Sequence, residues 1–169
     1  MTRYSAFALL LALAATTPAL AQEFKSGDIT IEKPWARATP KGADVGAGYF
    51  TIHNNGAAQD RLTGGTADFA TVEVHEMKNE GGVMKMRQLK DGLNIPAHGT
   101  IQFSPGGYHL MFTHLKKPLT KGETVTATLT FEHASPVAVQ FPVAGVGASA
   151  GGAMKGGAMK GGAMGGMKM

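Results

Sequence analysis

Cysteine is absent from the 169-residue chain. That excludes thiol–disulfide exchange, a cysteine nucleophile and thiolate ligation of a metal. It also excludes a blue-copper electron-transfer site, which needs a cysteine ligand. Charge of one sign is scarce as well: 16 Lys and Arg against 12 Asp and Glu leave a net charge of +4, with no basic block. Nucleic acid is therefore not an expected partner. Long hydrophobic runs are missing too. The unbroken apolar stretch from Ala6 to Ala15 is too short to span a hydrocarbon core, so stable membrane insertion is not expected. Arg3 precedes that stretch and Ala19-Leu20-Ala21 follows it. Together they read as a secretory signal peptide over residues 1–21 with Gln22 first in the mature chain.

What is present is strand patterning. Thr124 to Glu132 alternates polar and apolar residues, as do Val137 to Val143 and Thr100 to Phe103. Period-two alternation of β-branched and aromatic residues marks half-buried strands. Turn chemistry punctuates these runs at Asn55-Gly56, Gly64-Gly65, Gly81-Gly82, Asp91-Gly92, Pro105-Gly106-Gly107 and Lys121-Gly122. The pattern predicts one all-β domain over residues 22–144, an antiparallel β-sandwich. Residues 145–169 change to Gly, Ala, Met and Lys, with a Gly-Gly-Ala-Met-Lys unit at 151–155 echoed downstream. So little apolar bulk predicts a flexible tail.

The methionines of the domain are not scattered. His75-Glu76-Met77, Met84-Lys85-Met86 and His109-Leu110-Met111 each place two soft ligand types at i and i+2. On a strand those positions share a face. The short Asn79-Glu80-Gly81-Gly82 connection predicts that the first two segments form a hairpin, with the third brought in from a distant strand. Thioether sulfur is soft and neutral, and imidazole is compatible with it, so the set selects Cu(I). A divalent ion would keep its full charge in a partly dry site, and zinc prefers Cys, His and carboxylate. Single methionines commonly fill core gaps. Three soft pairs holding every domain methionine point to a metal site instead.

His53, His98, His114 and His133 read as surface or strand-end polar residues, with His114 the one that chain proximity could bring near the site. Because imidazole must be neutral to ligate, affinity is expected to weaken below about pH 6.5.

The arrangement resembles the periplasmic copper chaperones called PCu(A)C, whose signature is a His, ten residues, a Met, a spacer of about 21 and then His-x-Met. Here ten residues separate His75 from Met86, and 22 separate Met86 from His109-Leu110-Met111, one more than the signature. Pro34-Trp35-Ala36-Arg37-Ala38-Thr39-Pro40, Gly46-Ala47-Gly48-Tyr49-Phe50 and Pro105-Gly106-Gly107-Tyr108 are similar to the family as well.

The resemblance implies a cupredoxin-like Greek-key β-sandwich and copper, Cu(I) in preference to Cu(II), on His75, Met86, His109 and Met111. It implies a periplasmic chaperone; no enzymatic role is expected, and a monomer is the expected state. The partner would be a copper-accepting protein such as the copper A subunit of cytochrome c oxidase or a Sco-like assembly factor. Met77 and Met84 are accessory candidates, with Met154, Met159, Met164, Met167 and Met169 of the tail. The alternative is a periplasmic buffer or tolerance protein that binds copper without a dedicated target.

Overall fold

A computed structural model of the chain describes residues 22–149. The predicted signal peptide and the five tail methionines lie outside the described residues. Eleven strands follow one another: β1 (Glu23–Ser26), β2 (Ile29–Arg37), β3 (Val45–Asn54), β4 (Asp60–Ala67), β5 (Ala70–Glu80), β6 (Val83–Gln88), β7 (Leu93–Ile95), β8 (Thr100–Gln102), β9 (Tyr108–Thr113), β10 (Thr124–Phe131) and β11 (Val137–Ala144). Among the described residues there is no helix.

The alternation seen in the sequence is what buries one face of each strand. Val125, Ala127 and Leu129 of β10 point inward, with Val139, Phe141 and Val143 of β11. Val72 and Val74 of β5 meet Leu110 and Phe112 of β9 in the same core. Phe141 lies edge-on to both Phe112, at 5.8 Å between centroids, and Phe50, at 6.2 Å. Such edge-to-face pairs add to the burial of the rings themselves.

Hydrogen bonding runs β2-β11-β10-β4-β5-β9-β3, and β3 pairs back onto β2, closing the sheet on itself. The neighbours β10–β4 and β5–β9 are distant in sequence, so the chain crosses the ends of the fold as a Greek key does. Every strand pairing is antiparallel except β11 with β2, where Val143 pairs Ala36. The expected all-β Greek-key architecture is the one observed, in a closed form. Closure leaves each of these strands one inward and one outward face.

Three strands, β5, β6 and β9, carry the soft pairs. The edge of β5 that pairs β4 at Ala70–Val72 goes on to pair β6 at His75–Glu80, while its other edge pairs β9. β5 is therefore the centre of a three-strand patch, β6-β5-β9, at one end of the barrel.

Candidate metal site

Register decides which side chains meet. On β5 and β9, His75 pairs His109 and Glu73 pairs Met111. On β5 and β6, Met77 pairs Met86 and Asn79 pairs Met84. Leu110 and Phe112, like Val72 and Val74, are held inward by the core. The intervening residues must then project outward. Glu73, His75, Met77, Met84, Met86, His109 and Met111 thus share the outer face of this patch. All three soft pairs predicted from sequence lie on it.

Within the face the residues are not equivalent. The two imidazoles are directly opposed, with ring centroids 5.8 Å apart. Met111 is diagonal to His75 on one flank, and Met86 is diagonal to it on the other. Directly opposed and diagonal neighbours lie within reach of long side chains. Met77 is diagonal to His109 and opposite Met86, which places it between the hairpin thioether and the imidazoles. Met84 lies a further step out.

Exposure falls along the same line: Met86 is 50% exposed, whereas His109 is 6% exposed. The predicted hairpin is present, with strand pairing continuing through Glu80 and only Gly81 and Gly82 in the turn. Both have positive φ, 65° and 86°, the two-residue geometry that matches strand twist. On its other face, Glu76 accepts a short hydrogen bond from Arg87, which ties β6 to β5 in this register.

Each imidazole has one nitrogen engaged. Nδ1–H of His109 donates to the Gly107 carbonyl at 3.1 Å, which leaves Nε2 with its lone pair. Burial lowers the His109 pKa, the Gly107 bond opposes that and neighbouring His75 adds to it; the net shift is downward. The neutral ring, the form that ligates a metal, is favoured. Nε2 of His75 lies 2.8 Å from a Glu73 carboxylate oxygen. Its Nδ1 is buried and has no hydrogen-bond partner among the described residues. An unsatisfied buried nitrogen calls for an explanation, and a metal ion is one.

Among the described residues, no group of three or more His, Cys, Asp and Glu side chains is placed to hold a metal ion. The soft donors that flank the two imidazoles on this face are the thioethers of Met77, Met86 and Met111. Soft sulfur with neutral nitrogen suits Cu(I).

The remaining histidines lie apart from the cluster. His53 bonds the Thr100 hydroxyl at 2.8 Å, and His98 sits in the loop between β7 and β8. The backbone N–H of His133 binds Asp60. His114 is exposed beyond the end of β9, with a φ of 55°. Sequence reasoning weighs soft ligands only and misses Glu73. The signal was available: it lies two residues before His75 on the same face.

A family model described as "Putative lipoprotein LpqE-like" matches residues 29–143. The copper-bound PCuAC domain from PmoF2 superposes with a TM-score of 0.61 at 29% identity, covering 73% of this chain and 98% of that domain. The Cu(I) form of DR1885 from Deinococcus radiodurans superposes with a TM-score of 0.56 at 27% identity, covering 78% and 85%. The chain belongs to the PCu(A)C family. A "Putative lipoprotein" of Leifsonia xyli subsp. xyli is 34% identical over 80% of this chain and 84% of its own length.

PCu(A)C domains have been solved with copper bound, and His75, Met86, His109 and Met111 all fall within the matched region. The fold accounts for the spacing of these four. The ten residues between His75 and Met86 make one β5–β6 hairpin. The 22 between Met86 and His109 carry the chain through β7 and β8 to the far flank of β5.

Proposed function

We propose that this chain is an exported copper chaperone that binds one Cu(I) ion through His75, His109, Met111 and Met86, with Met77 as an exchange ligand. The observation that carries the reading is the direct opposition of His75 and His109 on an outer face that also carries the thioethers of Met77, Met86 and Met111. A carrier must hold copper and also release it. The buried imidazole His109 supplies retention, and the half-exposed Met86 is the ligand an acceptor reaches first. Stepwise displacement from sulfur to nitrogen follows from that gradient.

The acceptor is an exported copper protein such as the copper A subunit of cytochrome c oxidase or a Sco-like assembly factor. The naming of the Leifsonia relative as a lipoprotein supports export, and the periplasm is the compartment the signal-peptide reading implies. The chain has no enzymatic role in this reading. Its tail methionines, Met154 to Met169, recruit additional Cu(I).

X-ray absorption on the Cu(I)-loaded chain is expected to count two nitrogen and two sulfur ligands. His109→Ala is expected to abolish tight binding. Full affinity in Met86→Ala/Met111→Ala would show the assigned site to be wrong. A chain ending at Ser149 is expected to bind fewer equivalents than the full chain, and equal stoichiometry would leave the tail without a copper role. An oxidase-assembly defect in a deletion strain at low copper supports delivery; copper sensitivity alone supports the buffering alternative.

A further inference from the structure

We propose that Glu73 is a positioning residue for copper: its carboxylate fixes His75 in the tautomer that offers Nδ1, so the ion is held by Nδ1 of His75 and Nε2 of His109. This rests on the Cu(I) reading above and assigns which atoms of the two rings do the binding.

Three observations carry it. Glu73 and His75 are i and i+2 on β5, on one face, with the carboxylate 2.8 Å from Nε2. An ionised carboxylate only accepts, so the single proton of neutral His75 resides on Nε2 and the lone pair on Nδ1. That Nδ1 is buried and unpartnered among the described residues. His109 is arranged with the opposite polarity, its Nδ1–H held by the Gly107 carbonyl. Each ring therefore has one nitrogen tied to a fixed acceptor and the other unused, and the rings face each other across the β5–β9 pair.

An acceptor on the far nitrogen of a ligating imidazole fixes its orientation and raises its basicity, and its removal typically weakens metal binding about 10- to 100-fold. Glu73 is not itself the ligand in this arrangement. Its oxygen is engaged by His75, and hard carboxylate oxygen is a poor match for Cu(I).

The test uses the full chain, labelled with ¹⁵N-histidine and ¹³C-methyl-methionine, with Cu(I) as the probe. In the wild type, His75 is expected to show a protonated Nε2 without copper and a copper-shifted Nδ1 with one equivalent. Glu73→Ala is expected to lose the fixed tautomer and to weaken Cu(I) binding about 10- to 100-fold, by competition with a chromophoric chelator. Glu73→Gln keeps an oxygen that accepts from Nε2–H, so it is expected to restore the tautomer and part of the affinity.

A copper-shifted Nε2 on His75 in the wild type overturns the proposal. So does a Glu73→Ala variant that loses one light-atom ligand by X-ray absorption while the His75 shifts stay unchanged, since Glu73 would then be a ligand. If neither His109 nor the Met86 and Met111 methyls respond to Cu(I), the copper reading itself fails and takes this proposal with it. No His75 response beside intact responses at the other three overturns the positioning role and removes His75 from the ligand set, while the copper reading stands on His109, Met86 and Met111.

Discussion

Replacing Gly81 and Gly82 with alanine tests whether the hairpin exists to present Met86 rather than to stabilise the domain. Both glycines have positive φ, 65° and 86°. An L-residue in that region costs roughly 1–2 kcal/mol, so the double variant strains the turn by about 2–4 kcal/mol. Apart from the backbone ladder and the Arg87–Glu76 pair, little opposes that strain locally. All six residues of β6 are exposed, and none of them belongs to the core or packs against it. The Lys85–Glu80 ion pair at 3.1 Å is solvent-exposed and contributes little. A two-stranded ribbon is marginally stable without a packed face, so the strained turn shifts β6 toward a detached state.

Copper binding must then re-form the hairpin. Affinity is expected to fall at least about tenfold, equivalent to roughly 1.4 kcal/mol. The melting temperature should move by no more than about 2 °C, the equivalent of roughly 0.5 kcal/mol for a domain of this size. Competition against a chromophoric Cu(I) chelator reads the first quantity, and thermal denaturation of the copper-free chain reads the second. Hydrogen exchange at β6 amides should rise while β9 amides stay protected. Unchanged affinity alongside faster exchange at β6 would refute a role for the ordered hairpin in copper binding. A large drop in melting temperature would refute the claim that β6 lies outside the folding core.

Protonation of His109 in the copper-free chain is expected at a pH below the ordinary imidazole value of about 6.5, because burial disfavours its charged form. Its folded pKa is depressed, so the stability linked to it is present above about pH 6.5 and is lost as pH falls through the lower folded value. If His109 binds copper as proposed, proton competition for its ring likewise begins lower than sequence alone suggests. An NMR titration of the ring with a midpoint at or above about 6.5 contradicts this. Asp60→Asn is expected to destabilise the domain by about 1–3 kcal/mol near neutral pH. Burial alone would raise the Asp60 pKa, but hydrogen bonds from the backbone N–H groups of Arg61, Ala134 and His133 outweigh it and hold the carboxyl below its usual range. That stability is present above about pH 3.9 and is lost as pH falls through the folded value, so the gap between variant and wild type should close in acid. Urea unfolding at neutral and acid pH measures both; a gap independent of pH would remove the carboxylate's role.

Much of this site was legible before any fold was known, because strand parity is local. The i,i+2 spacing of His75 with Met77, Met84 with Met86, and His109 with Met111 fixes which residues share a face, whatever the partner strand. The Gly81-Gly82 turn, too, follows from residue type, since few other residues tolerate positive φ. Glu73 was equally local, but its significance depends on an unpartnered nitrogen that no sequence displays.

Sequence by itself determined the chemistry: no thiol, soft neutral donors, and alternating strands with one face free to carry them. Only the tertiary structure decided the arrangement. Pairing β9 against β5 sets His109 opposite His75 rather than opposite Met77, and pairing β6 on the other edge sets Met86 diagonal to His75. Register between distant strands is a property of how the core packs. A slip of one residue would send every soft side chain of a strand to the other face. Val72, Val74, Leu110 and Phe112, buried beneath the patch, are the residues that forbid that slip.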